Sequence, residues 1–290
     1  MLQTLAEIFH RQVLGMNRRN AGVIYRNHTR RDFTVADDKV ATKEVLEPAG
    51  IPVPQTHAVL GEIRSIGPHW SCIAERSNVV IKPTKGRAGN NILVLERTDA
   101  GWRTPAGRHY DAAAIQRHIA DIIYGTQSYG AWDRAIVEAR VVAHPFFRGI
   151  YDGGLPDVRV IAHEDELLLA MSRIPTAASD GKANLHQGAL GVRIDLETGE
   201  LGAGYDYRQY HPEHPDSGVH FAGRTVPHWD AMRAISHAVC EQVPLDYLGI
   251  DIVLDETRGP LVMEINARPG LEIQNVNQQG LLEKLPPALS

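Results

Sequence analysis

The chain has 290 residues, the length of one large domain or two modest ones. Its 35 acidic residues outnumber 30 basic ones, and the formal net charge of -5 excludes a uniformly basic nucleic-acid-binding protein. No apolar run approaches the ~20 residues of a membrane helix. Two cysteines cannot form a disulfide framework, which with the lack of a signal peptide predicts a cytoplasmic protein.

The first 37 residues differ in composition from the rest. Apolar residues recur there at roughly helical spacing, and they are Leu2, Leu5, Ile8, Phe9, Val13 and Leu14. Arginines dominate the same stretch: Arg11, Arg18, Arg19, Arg26, Arg30 and Arg31. We favour a short helix and arm packed on the main domain, with solvated or paired arginines. The alternatives are an anion-binding rim or a surface for an acidic partner, and a membrane-surface helix is the least favoured.

Strand and helix patterns then alternate without a strict βαβ repeat. The helices are predicted at residues 40–49, 111–124 and 228–242, and the strands at 79–82, 92–95, 134–143, 158–162 and 166–173. Gly50 is predicted to end the first helix, and the prolines that follow it force an extended chain. Residues 204–227, rich in His, Pro and aromatic residues, are predicted as a long loop. The fold class is therefore α+β or mixed α/β, not a doubly wound sheet.

Two β-rich stretches near the C-terminus, at residues 249–254 and 260–266, predict a hairpin with its turn at 255–259. In this hairpin Asp251 lies opposite Glu264, and Glu264 shares a face with Asn266. Carboxylate and amide oxygens among apolar residues suit a hard cation such as Mg²⁺. The alternative is a pair of edge-strand acids facing solvent, and we favour the metal.

A lysine ends the β-branched strand at 79–82 and precedes a glycine-containing loop. Lys82 can neutralise phosphate, and Gly86 and Gly89, with Asn90, permit close approach of backbone N–H groups. An ordinary basic hairpin loop is an equal alternative, since the ending of a P-loop is absent.

Arg159 and Arg173 fall on neighbouring predicted strands, with Asp157 two residues before Arg159. Two such arginines suit an anion clamp, although a structural Arg–Asp pair is the commoner arrangement. The histidines of 204–227 suggest zinc only weakly, because no acid or cysteine stands at ligand spacing.

Nine motifs occur in one order along about residues 35–275. They are Asp38-Lys39, Gly50-Ile51-Pro52-Val53-Pro54, Ile81-Lys82-Pro83, Val137-Glu138, Asp157-Val158-Arg159, Asn184-Leu185-His186, Asp251, Glu264-Ile265-Asn266 and Pro269-Gly270-Leu271-Glu272. In this order they resemble the ATP-grasp superfamily, and most closely its α-L-glutamate ligase (RimK-type) branch and the α-L-glutamate ligase-like relatives.

The resemblance implies an ATP-grasp fold, α+β, in which two subdomains clasp ATP. Residues 1–37 would form an Arg-rich arm before the ATP-grasp domain at 38–290, with a nucleotide-lid subdomain at about 75–140 and a metal-binding subdomain at about 141–275. The implied ATP contacts are Lys39, Lys82, Gly86, Gly89, Asn90, Glu138, Ala139, Asp157, Lys182, Ala183 and Asn184. Asp251, Glu264 and Asn266 would hold Mg²⁺, with Mn²⁺ as a substitute. Arg159, Arg173, Arg268 and His186 are candidates for the acid substrate and its acyl phosphate.

The implied activity is an ATP- and Mg²⁺-dependent carboxylate–amine ligase that forms an amide through an acyl phosphate. The donor would be glutamate or another amino acid, and the acceptor an amine, free or on a peptide or protein. Two alternatives stay open: a non-catalytic ATP-binding regulatory module, and an ATP-grasp ligase with a different acid, of the D-alanine–D-alanine or sugar-linked type. Members typically carry an N-terminal domain of roughly a hundred residues, whereas about 37 residues precede Asp38 here. This difference leaves the substrates open, as it does the oligomeric state, a homo-oligomer included.

Overall fold

A computed structural model describes residues 12–26, 28–86, 91–126, 131–286 and 289. The chain divides into two compact units. Unit 1 contains residues 1–37, 41–53 and 142–290, and unit 2 contains residues 38–40 and 54–141. Each unit has one antiparallel sheet with helices, so the expected mixed α+β class is confirmed.

Unit 2 has a six-stranded sheet in the order β1-β6-β2-β3-β4-β5. Its strands are β1 Thr56–Leu60, β2 Asn78–Pro83, β3 Leu93–Thr98, β4 Gly101–Arg103, β5 His109–Tyr110 and β6 Ala135–Glu138. The strands predicted at 79–82 and 92–95 are confirmed, and they pair with each other as β2 and β3. The strand predicted at 134–143 is shorter than expected. The chain leaves this sheet after Glu138, and the N–H of Val142 donates to Asp255 of unit 1 instead.

Two helices of unit 2 precede β2 and β6: α4 Ile66–Ala74 and α5 Ala112–Ile123. Helix α5 begins where the side chain of Asp111 accepts the backbone N–H of Ala114 at 2.7 Å. Isoleucines recur along one stripe of this helix, at 115, 119, 122 and 123, and all four are buried in the core of unit 2. The helix predicted at 111–124 is therefore confirmed within one residue at each end.

Unit 1 has a seven-stranded sheet in the order β11-β10-β9-β8-β7-β12-β13. Its strands are β7 Asp157–His163, β8 Glu166–Ile174, β9 Leu190–Ile194, β10 Leu201–Tyr205, β11 Tyr210–His211, β12 Tyr247–Asp255 and β13 Gly259–Asn266. All nine residues of β12 are buried, as expected for a central strand covered on both faces.

The remaining helices precede, follow or lie between the strands of this sheet along the chain. The first is α1 Met16–Arg18, which continues as a π-helix over Arg19–Ile24. The others are α2 Thr34–Asp37, α3 Lys39–Leu46 (its first two residues in unit 2), α6 Pro145–Arg148, α7 Trp229–Gln242 and α8 Ile273–Asn277. Helix α3 is shorter than the predicted 40–49, while Gly50 has the expected left-handed φ of 73° after it.

The prediction that residues 204–227 form a long loop is wrong in part. Strand β10 extends to Tyr205, β11 pairs with it, and isolated bridges join Glu213 to His220 and Glu200 to Thr225. Proline and histidine content suggested a loop, but backbone pairing with the neighbouring sheet organises the stretch. Sequence composition does not report such long-range pairing.

The β12–β13 hairpin has the predicted register. Asp251 lies opposite Glu264 and Gly249 opposite Asn266, with a bulge directly after Asp251. The turn is fixed by Asp255, whose Oδ1 accepts the backbone N–H groups of Thr257 and Arg258. Gly259 closes it with φ of 75°, a conformation that favours glycine.

Candidate functional site

A buried lysine–glutamate pair crosses two neighbouring strands of unit 2. Lys82 Nζ lies 2.6 Å from Glu138 Oε2, and the two side chains are only 4% and 2% exposed. Burying two charges costs desolvation energy that their attraction barely offsets. Such a pair is therefore weak evidence for stability alone, and its position at the end of β2, before the glycine loop, suits a functional role.

Lys39 lies beside the beginning of the same glycine loop. Its Nζ donates to the carbonyl oxygen of Gly86 at 2.9 Å, and its backbone N–H donates to Thr84 at 3.0 Å. A side chain at position 86 would collide with Pro83, because its Cβ would lie 2.3 Å from Pro83 Cγ. The close approach of Gly86 to Pro83 at the start of the loop thus requires glycine. The predicted contacts Gly89 and Asn90 lie outside the described residues.

Three residues that sequence analysis missed, Thr84, Asp133 and Arg134, form a hydrogen-bonded group with Asp38 beside Lys39. Asp38 accepts the backbone N–H of Val40 and pairs with Arg134 at 2.9 Å. The hydroxyl of Thr84 donates to Asp133 at 2.8 Å. Asp133 and Arg134 stand next to β6 in the sequence, and no local pattern relates them to Asp38, nearly a hundred residues earlier.

Glu138, one of the implied ATP contacts, ends strand β6, and Ala139, another, directly follows it. Glu138 is held by Lys82, and the backbone N–H of Ala139 donates to the carbonyl of Gln55 at 2.9 Å. That N–H already has a protein acceptor in this structure.

In unit 1, two arginines and two aspartates form an ionic cluster across β8, β7 and β12. Arg159 holds Asp251 with two hydrogen bonds, Nε to Oδ1 at 2.7 Å and Nη2 to Oδ2 at 2.6 Å. Arg173 holds Asp157 in the same bidentate manner and also donates from Nη2 to Asp251 at 2.8 Å. We call Asp157, Arg159, Arg173 and Asp251 the ionic cluster.

The sheet register explains why these four side chains meet. Arg159 is the direct partner of Asp251, and Asp157 of Arg173. Directly opposed residues of an antiparallel pair share a face of the sheet. Arg159 and Arg173 therefore lie on neighbouring strands, as predicted. In this structure their partners are aspartates, the arrangement given above as the commoner alternative to an anion clamp.

Within the ionic cluster, the pKa values of the two carboxyl groups are shifted in opposite directions. Burial would raise the pKa of Asp251, but Arg159 and Arg173 outweigh it and lower this pKa to about 2. Burial raises the pKa of Asp157 to about 6, because Arg173 is shared with Asp251 and compensates it only in part. Asp251 is therefore firmly ionised at neutral pH, as a cation ligand must be.

The three predicted metal ligands stand together at the end of the β12–β13 hairpin. Asn266 donates from Nδ2 to Asp251 Oδ2 at 3.1 Å, which leaves its amide oxygen as the remaining polar atom. From the described residues, Asp251 accepts one hydrogen bond on Oδ1, from Arg159, and three on Oδ2, so Oδ1 is the less occupied oxygen of this carboxylate. Two carboxylates and an amide oxygen form the donor set that Mg²⁺ prefers, so these residues fit the ion.

A zinc-type site finds no support in the residues that the structure describes. Among them, no three His, Cys, Asp or Glu side chains group as metal ligands would. His211 instead lies 3.0 Å from Asp206, and His214 bonds the carbonyl of Pro175 at 2.9 Å.

His186 belongs to an aromatic group of unit 1 and not to the ionic cluster. Asn184 accepts the N–H of His186 at 3.0 Å, and the exposed Lys182 and the half-buried Ala183 come directly before it. His186 Nδ1 lies 2.9 Å from the hydroxyl of Tyr207, with the rings stacked. Burial, then Glu272 and Tyr205, raise the pKa of Tyr207 to about 12, so this hydroxyl stays protonated.

Arg268 lies in the turn that follows β13, two residues beyond Asn266. It is exposed, and its Nε donates to the hydroxyl of Tyr25 at 2.8 Å. Tyr25 and its neighbour Phe33 were not predicted as site residues, because aromatic residues 240 positions away carry no local signal.

The family model described as "Sugar-transfer associated ATP-grasp" matches residues 18–287. The chain belongs to this ATP-grasp family. The match spans both units, and the expected membership in the ATP-grasp superfamily is confirmed. In the part of the chain that the structure describes, no helix has the length and apolar character to cross a membrane.

Two curated relatives and one solved structure are similar to this family member. A "Probable alpha-L-glutamate ligase" of Klebsiella pneumoniae (strain 342) is 56% identical over 167 residues, 53% of this chain and 43% of the relative. "Cyanophycin synthetase" of Synechocystis sp. (strain ATCC 27184 / PCC 6803 / Kazusa) is 24% identical over 272 residues, 85% of this chain and 29% of the relative. The chain thus spans less than half the length of either relative. D-alanyl-alanine synthetase A of Vibrio cholerae O1 biovar eltor str. N16961 has a similar fold, with a TM-score of 0.54, 12% identity, and coverage of 89% of this chain and 65% of that one.

Proposed function

We propose that the protein is an ATP- and Mg²⁺-dependent ligase that joins a carboxylic acid to an amine through an acyl phosphate. The observation that carries the proposal is the position of Asp251. This ionised carboxylate lies opposite Glu264, bonds Asn266 and is held by Arg159 and Arg173 on one sheet face. Membership in an ATP-grasp family over residues 18–287 supports it.

Asp251, Glu264 and Asn266 are the proposed holders of the metal. Bound there, Mg²⁺ would screen the phosphate charge that otherwise repels a carboxylate. Arg159 and Arg173 orient Asp251 in advance, because both of its oxygens are fixed by hydrogen bonds. Their guanidinium groups also add positive charge where an acyl phosphate would develop negative charge.

Lys39 and Lys82 are the proposed phosphate contacts in unit 2. Lys39 is directed at the carbonyl of Gly86, where the glycine loop begins. Lys82 is held in one position by Glu138. We assign Gly86, Gly89, Asn90, Glu138, Ala139, Asp157, Lys182, Ala183 and Asn184 to nucleotide contacts as part of the same proposal.

The chemistry requires no protein nucleophile. A carboxylate is a poor electrophile, and transfer of the γ-phosphoryl group of ATP gives it a good leaving group. The amine then forms the C–N bond as phosphate departs, which yields an amide, ADP and phosphate. The side chains act by positioning the reactants and stabilising charge. His186, hydrogen-bonded to Tyr207, is a candidate to line the substrate site.

The name of one relative, "Probable alpha-L-glutamate ligase", supports an amino acid as the acid substrate. The family description, "sugar-transfer associated", supports testing sugar-linked amines as acceptors as well. Glutamate is therefore our first donor, and the acceptor is an amine on an amino acid, a peptide or an amino sugar.

ADP release with Mg·ATP tests the proposal, against a panel of amino-acid donors with amino-acid, peptide and amino-sugar acceptors and mass spectrometry of the products. We expect ADP formation that depends on a donor, with a condensed product. Glu264→Gln should lower the rate at least about 100-fold by removing a charged metal ligand. Its control is Glu197→Gln, an exposed glutamate of the β9–β10 turn, which should keep the full rate.

Tight ATP binding without ADP formation from any pair would instead favour the non-catalytic ATP-binding module. Full activity of Glu264→Gln would contradict the metal assignment.

A further inference from the structure

Two aromatic residues of the N-terminal segment hold the exposed side chain of Arg268. The Nε of Arg268 donates to the hydroxyl of Tyr25 at 2.8 Å. Its guanidinium carbon lies 4.4 Å from the centre of the Phe33 ring and 5.4 Å from that of the Tyr25 ring. The two rings meet edge to face, 5.8 Å apart and at 84°. All three residues belong to unit 1.

This arrangement fixes a side chain that would otherwise sample many rotamers. Fixing an arginine side chain costs rotamer entropy, and contact with aromatic faces offsets part of that loss. The bond to Tyr25 uses Nε alone. The two terminal nitrogens of the guanidinium, which together can bind a carboxylate or phosphate in a bidentate manner, keep their donors directed away from that bond.

The turn that carries Arg268 is fastened by the same N-terminal segment at a second point. The buried Arg19 donates from Nη1 to the carbonyl of Pro269 at 2.5 Å. The turn also approaches the ionic cluster, since a Cβ at Gly270 would lie 4.0 Å from Arg159 Nη1. Arg268 is thus a positioned cation on the turn that directly follows Asn266 and that approaches Arg159 at Gly270.

We infer that Arg268 binds the carboxylate of the acid substrate and that Tyr25 and Phe33 are positioning residues that orient its guanidinium. The inference rests on the proposed function and adds to it a role for the N-terminal segment in recognising the acid. Tyr25 acts through its hydroxyl bond and Phe33 through its ring face, and neither needs to touch the substrate.

Exposure separates this role from a purely structural one. Tyr25 is 48% exposed, so its bond to Arg268 is open to water and contributes little to folding. Its loss should therefore change binding of the acid and leave stability nearly unchanged.

The test compares Tyr25→Phe with wild type and with Tyr124→Phe, an exposed tyrosine of unit 2 that contacts Trp132. Calorimetry measures the Kd of L-glutamate and of Mg·ATP, and thermal unfolding measures Tm. Tyr25→Phe should raise the Kd of L-glutamate about 2- to 12-fold, the loss expected for one hydrogen bond. Its Kd for ATP and its Tm should match those of Tyr124→Phe.

Two further variants sharpen the result. Arg268→Lys should weaken L-glutamate binding more than Tyr25→Phe does, because lysine lacks the planar pair of donors. In the Arg268→Lys background, Tyr25→Phe should have no additional effect. Additive losses in the double variant would overturn the inference.

An unchanged Kd of L-glutamate in Tyr25→Phe also overturns the inference, as does wild type that binds ATP but not L-glutamate. Failure of the proposed function is separate and would be seen as binding of both ligands without ADP formation. The binding measurement therefore judges the positioning role, and the ADP measurement judges the ligase.

Discussion

The effect of removing a charged side chain from unit 2 depends on whether its ion pair is buried or exposed. Lys82 and Glu138 are buried together on adjacent strands, whereas Arg103 and Glu96 form an exposed pair on β4 and β3 of the same sheet at 3.9 Å. The contrast matters because removal of one partner leaves a charge behind. In water that charge is solvated, and in the core it is not.

Lys82→Met should destabilise the protein by about 3–5 kcal/mol, since it removes a buried cation that lies 2.6 Å from the buried carboxylate of Glu138. Arg103→Met, the matched control, should cost at most about 1 kcal/mol. Denaturant unfolding of both variants measures the difference. Equal costs would show that Glu138 is not buried as a charge.

The consequence for functional work is direct. Weakened ATP binding in a Lys82 variant is interpretable only at a temperature where the variant remains folded. Lys39, whose Nζ donates to the backbone carbonyl of Gly86, is a second residue for testing the phosphate contacts.

At the scale of elements, the sequence predicted the β12–β13 hairpin but not the strand that pairs with it in the sheet. Both arms of β12–β13 are β-rich and close in sequence, so Asp251 opposite Glu264 followed from alternation around a short turn. The pairing of Asp251 with Arg159 joins strands about 90 residues apart, and no local pattern determines that order. The opposed position of Asp251 and Glu264 was therefore predictable from the sequence, but the ion pairs of Asp251 to Arg159 and Arg173 were not.

Helix α8 depends on a glycine in the adjacent sheet. A Cβ at Gly191 would lie 2.6 Å from Val276 and 3.0 Å from Leu185. Gly191 pairs with Arg173 of the ionic cluster on one side and with Tyr205 on the other. Packing of α8 over this position thus requires the absence of a side chain.

Gly191→Ala should cost about 1–3 kcal/mol, the usual penalty for overpacking a core. Gly67→Ala is the matched control, because nothing lies within 4 Å of its Cβ position in α4 and alanine favours the helix. Thermal unfolding of both variants tests the prediction. A neutral Gly191→Ala would mean that α8 does not pack closely on β9.

At the scale of the whole molecule, unit 1 joins the early and late parts of the chain. Gln274 is buried and bridges them, accepting the N–H groups of Leu14 at 2.8 Å and Leu281 at 2.9 Å. It also donates to the carbonyl of Leu14 at 3.2 Å. With a further bond from Nε2 to the carbonyl of Leu271, this side chain satisfies four backbone groups, two of them on the distant Leu14.

Gln274→Met should destabilise the protein by about 2–5 kcal/mol, because it leaves buried backbone groups without partners. Gln209→Met, at an exposed position, should be neutral. Hydrogen exchange provides a local readout, since the N–H groups of Leu14 and Leu281 should exchange faster in Gln274→Met. Unchanged exchange at both would contradict the bridging role.

The bond between Leu14 and Gln274 can form only after both residues have been translated. Leu14 emerges from the ribosome 260 residues before Gln274. At about 5–20 residues per second, its partner appears roughly 13–50 seconds later. Unit 2 can fold within that interval, whereas Val23 and Ile24, which are buried in the finished protein, wait with their apolar surface exposed. The segment that orients Arg268 is thus translated well before the residues that complete its packing, and its apolar side chains are exposed to water during that delay.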